Sequence, residues 1–187
     1  MDAFSHLSVL ISIILGLAIT QLLQGFRGIV LARARVRVYW VPVAWAFIVL
    51  LVCIQSWWAM FGLRQVRSWS FVSFSAVLLQ VLAIYMQAAL VLPDFGGDAT
   101  LDLRAHYYDH VRWIFGAFVL TLVASLLKDV VLSGHLPATL NVAFHLVMIA
   151  LSLIAAIVRR EWYHRFNVFA AALTIGAYIA FLFMRLQ

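Results

Sequence analysis

The sequence predicts an all-α fold: a polytopic integral membrane protein with six transmembrane helices in a single domain over residues 1–187. Three observations predict it. Hydrophobic residues make up 66% of the chain and charged residues 11%, a composition without the charged surface of a water-soluble domain. Apolar runs recur along the chain, each near the roughly twenty residues that cross a bilayer as a helix. The runs show no two-residue alternation. With no water in the hydrocarbon each must satisfy its backbone hydrogen bonds internally, so helices are expected rather than barrel strands.

The first run, 4–25, is preceded by Asp2 rather than a basic stretch, and no small-x-small cleavage site follows it, so it reads as a retained signal anchor. Its small and polar residues Ser8, Ser12, Gly16, Thr20, Gln24 and Gly28 recur every four positions, one slowly drifting face of a helix. Residues 26–39 are basic, with Arg33, Arg35 and Arg37 alternating with Ala34, Val36 and Val38. The simplest reading is a positive-inside anchor. The alternative is a segment lying on anionic lipid, where each basic residue contributes about 1 kcal/mol.

The second run, 41–62, holds the lone cysteine, Cys53, expected as a small core hydrophobe. The third, 71–92, carries Ser73, Gln80 and Gln87 at heptad spacing. The longest linker, 93–110, contains Asp94, Asp98, Asp102 and Asp109. The fourth run, 111–133, repeats the four-residue spacing in Ala117, Thr121, Ser125, Asp129 and Ser133. The tight Gly134-His135-Leu136-Pro137 connection predicts an antiparallel hairpin with the fifth run, 138–158, whose Asn141, His145 and Ser152 share a face. The sixth, 167–185, carries Asn167, Thr174 and Tyr178.

Arginine places the loops. Arg27, Arg33, Arg35, Arg37, Arg104, Arg112, Arg159, Arg160 and Arg165 fall on one side; Arg64, Arg67 and Arg185, with Lys128 nearby, fall on the other. The heavier side should be cytoplasmic, which puts both termini outside. The chain as a whole reads generically as a small protein of a bacterial inner membrane, and arginine in place of lysine with abundant alanine suits a GC-rich genome. Trp40, Trp57, Trp58, Trp69 and Trp113 at run ends, and Trp162 between runs, form the expected aromatic belt. The net charge of +6 is thereby spent at membrane edges, and no basic surface interleaved with aromatics suits a nucleic acid.

The two halves align as a 3+3 inverted repeat, with Ser12 on Ala117, Gly16 on Thr121, Thr20 on Ser125 and Gln24 on Asp129. Inverted repeats recur in transporters, with the site between the copies. Any two apolar helices rich in small residues align about this well, so chance similarity stands beside the repeat. The same holds for the stripes: Ser12, Gly16, Thr20, Thr121 and Ser125 suit close helix packing, and equally the wall of a polar cavity.

Ionisable groups inside a span are functional candidates, since a charge at the bilayer centre costs about 3 kcal/mol or more. Adjacent Lys128 and Asp129 should diverge by about 100° around the helix, with Lys128 snorkelling outward and Asp129 turned into the bundle. The hairpin brings Asp129 level with His145, and a carboxylate–imidazole pair there could exchange a proton near neutral pH. A structural pair is the alternative. Asp102, His106 and His110, each four apart, could ligate a metal; an amphipathic lead-in to the fourth span explains them as well. No two histidines on facing spans suit a bis-histidine haem.

The sequence contains no catalytic constellation, and an enzyme is not the leading expectation. That expectation is a small channel or transporter for an ion or small solute, proton-coupled in one version, with Gln24, Gln80, Gln87, Asp129 and His145 lining the polar path. A non-transporting module binding lipid or a partner membrane protein is the second reading, and a metal- or haem-binding membrane oxidoreductase the third. Polar faces on so few helices also suit a homo-oligomer, most simply a two-fold dimer.

Overall fold

The computed structural model describes residues 3–66, 68–96 and 100–182; Asp2, Arg67, Asp98 and Arg185, and with Arg185 the end of the sixth expected span, lie outside the described residues. The described residues form six α-helices: α1 (Ala3–Leu31), α2 (Trp40–Ala59), α3 (Phe71–Val91), α4 (Leu103–Ser133), α5 (Thr139–Ile157) and α6 (Glu161–Leu182). A 3-10 turn, Met60–Gln65, extends α2. Among the described residues five helices, α1 to α5, are long and apolar enough to cross a membrane. The sixth opens on Glu161, His164 and Arg165, so its described apolar stretch is short.

The helices end where the local chemistry stops them. Ser70 caps α3 by accepting the Ser73 amide at 3.1 Å. Gly134 closes α4 in the left-handed region at φ 76°, its amide donating to the Val130 carbonyl at 2.8 Å, and Pro137 follows. At its other end α4 starts eight residues before the expected span. The segment 103–110 is therefore continuous with the fourth span and forms the first turns of α4. Its 31 residues make it about 46 Å long, well beyond the bilayer's hydrocarbon. Arg112 and the exposed Trp113 stand where such a helix would meet the headgroups.

The linker 32–39 carries a short strand that neither expectation included. Two short strands, β1 (Val36–Arg37) and β2 (Leu101–Asp102), pair in parallel, Val36 opposite Leu101 and Arg37 opposite Asp102. The period-two alternation of arginine and valine is the pattern of a strand. The ribbon ties the α1–α2 linker to the α3–α4 linker, so both lie at one end of the bundle, here the strand end. The 3-10 turn and Gly134 mark the opposite, turn end.

Helices α2, α3, α4, α5 and α6 close a ring, with α6 returning to α2, and α1 packs outside it against α2 and α3. The buried face of α1 is Leu7, Ile11, Leu15, Ala18 and Leu22. Gly25 and Gly28 extend that face: a Cβ on Gly28 would lie 2.2 Å from the Phe95 ring, and one on Gly25 2.6 Å from Leu92. The stripe Ser12, Gly16, Thr20 and Gln24 sits on the opposite, exposed side. The halves also pack unlike one another. α1 docks on α2 and α3 of its own half, whereas α4 docks on α5 of its own half and on α3 of the other.

Candidate functional site

The ring encloses a cavity in which polar side chains from several helices stand among apolar ones such as Phe118, Phe144 and Met148. Its floor, a space of about 90 Å³, is lined among others by Gln80, Gln87, Thr121, Ser125, His145 and Tyr178. Above it a space of about 250 Å³ shares Gln55, Ser56, Gln80, Ser125 and Tyr178 with the floor and adds Lys128, Asp129 and Asn141. A mouth of about 530 Å³ continues from Gly62, Leu63 and Asp129 to the exposed Ser133 and His135. The three spaces form one funnel that opens at the turn end. From Ser133 to Thr121 it descends about 18 Å along α4. A volume of 90 Å³ is room for several waters, by the measure of about 15 Å³ each.

Toward the strand end the funnel meets an aromatic seal. Phe118 lies at the floor; its ring and the Trp45 ring are 4.8 Å apart, Trp45 and Phe115 5.3 Å, and Phe115 and His164 5.8 Å. Trp45, Phe115, Tyr107 and His164 are fully buried. His164 pins the seal. Its Nε2–H donates to the Val158 carbonyl at 2.8 Å, so Nδ1 is the acceptor and takes the Tyr107 hydroxyl at 2.9 Å. The carbonyl at the C-terminus of α5 and the first turns of α4 are thereby tied to α6.

The polar groups of the floor have fixed directions. Gln87 Nε2 donates to the Ala117 carbonyl at 3.2 Å and to the Thr121 hydroxyl, which itself donates to the same carbonyl at 3.0 Å. A carbonyl can only accept, so the amide cannot be turned over. Gln87 Oε1 is left without a hydrogen-bond partner among the described residues, as are Gln80 Oε1 and Asn141 Oδ1. Each such buried acceptor costs about 1–3 kcal/mol. His145 Nδ1–H donates to the Asn141 carbonyl at 2.9 Å, which makes Nε2 the acceptor of that ring.

Gln80, Gln87, Asp129 and His145 therefore gather in one funnel, together with Ser125 and Thr121 of the α4 stripe. Gln24 is exposed on α1 and lines none of these spaces. Ser12, Gly16 and Thr20 of the α1 stripe are likewise exposed, whereas Gly28 is buried against Phe95. Ser12 accepts the Trp57 indole N–H at 3.4 Å, Thr20 bonds back to the Gly16 carbonyl at 2.8 Å, and among the described residues nothing lies within 4 Å of a Cβ built on Gly16. The reason is rotational: Ile11 and Leu15 take the packing face, and each neighbouring residue is turned about 100° from it.

The expected Asp129–His145 pair gives way to another arrangement. Lys128 Nζ lies 3.2 Å from Asp129 Oδ1, and both line the middle of the funnel. The backbone directions of adjacent residues do diverge, but the four-carbon lysine stem spans the difference, so Lys128 meets its neighbour instead of snorkelling.

The residues considered for a metal are engaged elsewhere. Asp102 Oδ1 caps α4, accepting the Arg104 and Ala105 amides at 2.8 and 3.1 Å. His106 Nε2–H donates to the Leu90 carbonyl in the last turn of α3 at 3.3 Å, and His110 Nδ1–H donates to the His106 carbonyl at 2.9 Å. Among the described residues no group of three histidine, cysteine or acidic side chains is placed to hold a metal ion.

Sequence reasoning passed over Gln55, Ser56 and His164. The first two form the one adjacent polar pair in the second apolar run, a signal that was there to read. His164 falls just before the sixth run among charged and aromatic residues, and nothing local distinguishes it from a headgroup-facing side chain. No protein-family model matches the chain, and no curated protein or solved structure is similar to it.

Proposed function

We propose that this protein is a membrane transporter that binds a small solute in the funnel and passes it between the two sides by opening the aromatic seal. The observation that carries the reading is a deep polar funnel open at one end and closed at the other. An open channel needs a continuous wet path; a carrier exposes its site to one side at a time. Five helices already have the length and hydropathy to span. In this reading α6 makes the sixth crossing, the arginine-rich strand end faces the cytoplasm, and the funnel opens outward. The pocket is lined by Gln55 and Ser56 of α2, Gln80 and Gln87 of α3, and residues of α4, α5 and α6, so it lies between the first and second halves of the chain.

Proteoliposomes test this. Purified protein should accelerate uptake of some small solute over protein-free vesicles, and Gln80→Leu should reduce it. Phe118→Ala should thin the seal and add an uncoupled leak. Proton coupling through the Asp129 region would show as a pH dependence of uptake that Asp129→Asn removes. Vesicles no more permeable than empty ones to any small solute would overturn the transport reading.

A second reading rests on α1. A helix that leaves Gly16, Thr20 and Gln24 exposed offers a small, polar face to a partner helix, including that of a second copy. Gly16→Leu would break such an assembly while leaving the monomer folded, a result that size-exclusion chromatography with light scattering reads directly.

A further inference from the structure

We propose that the funnel selects a small uncharged solute rich in N–H or O–H donors, of the urea or polyol class, over cations and over solutes that only accept hydrogen bonds. The proposal rests on the reading of the funnel as a ligand site and names what that site takes.

Charge is the first argument. The ionised side chains lining the floor and middle are Lys128 and Asp129, 3.2 Å apart and already paired. The lining is thus neutral as a whole. A cation reaching the floor would bring an uncompensated charge into a low-dielectric space, and could claim Asp129 only by displacing Lys128.

Hydrogen-bond direction is the second. Gln87 is 1% exposed and lines the floor; both donor contacts of its Nε2 are spent on α4, so its carbonyl oxygen is what remains to meet an occupant. His145, spending Nδ1–H on the Asn141 carbonyl, presents an acceptor as its other ring nitrogen. Hydroxyls of Ser56, Ser125 and Tyr178 can serve in either direction. On the floor, which Lys128 does not line, the groups whose direction is fixed are therefore acceptors, and they ask for donors. A site built to bond a donor discriminates sharply against an analogue that lacks it, because its own polar groups then stay unpaired.

The test is binding, kept separate from flux. Saturation-transfer difference NMR on the protein in nanodiscs, referenced to empty nanodiscs, compares N-methylurea, methylammonium and dimethyl sulfoxide, each reported by its methyl signal. N-methylurea should show transfer above the reference, and Gln87→Leu should weaken its binding by about two- to tenfold. Thr121→Val keeps the shape of the floor but loosens the amide, so it should raise dimethyl sulfoxide relative to N-methylurea. This second variant carries the test if Gln87→Leu does not fold, and an unchanged preference in it would overturn the proposal. Methylammonium or dimethyl sulfoxide binding as well as N-methylurea would overturn the ligand class and leave the pocket as a ligand site. No transfer from any of the three would overturn both.

Discussion

Tyr107→Phe removes one oxygen from the most enclosed part of the bundle, and its consequence can be worked out from two contacts. The Tyr107 hydroxyl donates to His164 Nδ1 at 2.9 Å, and both residues are 0% exposed. The ring itself packs edge-on against Phe115 and His164, with centroids 6.4 and 5.3 Å away, and phenylalanine keeps those contacts. What is lost is the bond, and His164 Nδ1 is left buried without a donor. The cost of such an orphan is about 1–3 kcal/mol. Average interhelical hydrogen bonds in membrane proteins are worth nearer 0.6 kcal/mol, roughly, because the unfolded chain in lipid finds other partners. The two figures separate the enclosed pin from an ordinary contact. His164→Leu should cost more than Tyr107→Phe, since it orphans both the Tyr107 hydroxyl and the Val158 carbonyl. Equilibrium unfolding in mixed micelles of mild detergent and dodecyl sulfate, followed by tryptophan fluorescence, measures each. A Tyr107→Phe loss below about 0.5 kcal/mol, or a His164→Leu loss no larger than it, would refute the account of His164 as a pin.

Three further outcomes follow from the fold. Gly28→Ala should destabilise by about 1–3 kcal/mol, because its Cβ would overlap the Phe95 side chain including Cβ at 2.8 Å, whereas Gly16→Ala should be neutral or mildly stabilising in the monomer; unfolding of the two variants side by side checks this. Asp102→Ala should cost about 1 kcal/mol through loss of the α4 cap, and faster amide exchange at Arg104 and Ala105 should accompany it. Glu161 accepts Arg165 at 2.5 Å and Arg104 at 3.0 Å, and these guanidinium groups, Arg165 foremost, hold its carboxyl below the usual carboxylate range. A depressed folded-state pKa stabilises the protein above the unfolded value and is lost as pH falls through the folded one. The difference in stability between the native chain and Glu161→Gln should therefore be present at neutral pH, fade on acidification below the carboxylate range, and shrink in high salt as for any exposed pair.

Number, type and rough limits of the helices were legible in the sequence because they depend on local properties: the length of an apolar run, a glycine followed by proline, a tryptophan or arginine at each border. Gln80, Gln87 and His145 were legible as inward-facing for a related reason, since polar groups in lipid need partners wherever they find them. Rotation about each helix axis was not legible. In a soluble helix the apolar stripe marks the buried face, but here the exposed and packed sides are equally apolar, and Leu17 on the exposed side reads like Leu15 on the packed side. Only the packing turned Ser12, Gly16 and Gln24 of α1 outward and Thr121 and Ser125 of α4 inward, although both stripes share one spacing. Long-range contacts were equally silent: the pairing of Val36 with Leu101, the pinning of Val158 to Tyr107 through His164, and the seal of Trp45 against Phe118 join residues far apart in the chain. The sequence by itself determined that the chain folds as apolar helices with polar residues needing shelter. The tertiary structure decided which of those residues share a cavity, because that depends on how side-chain shapes interlock between helices, and hydropathy carries no record of it.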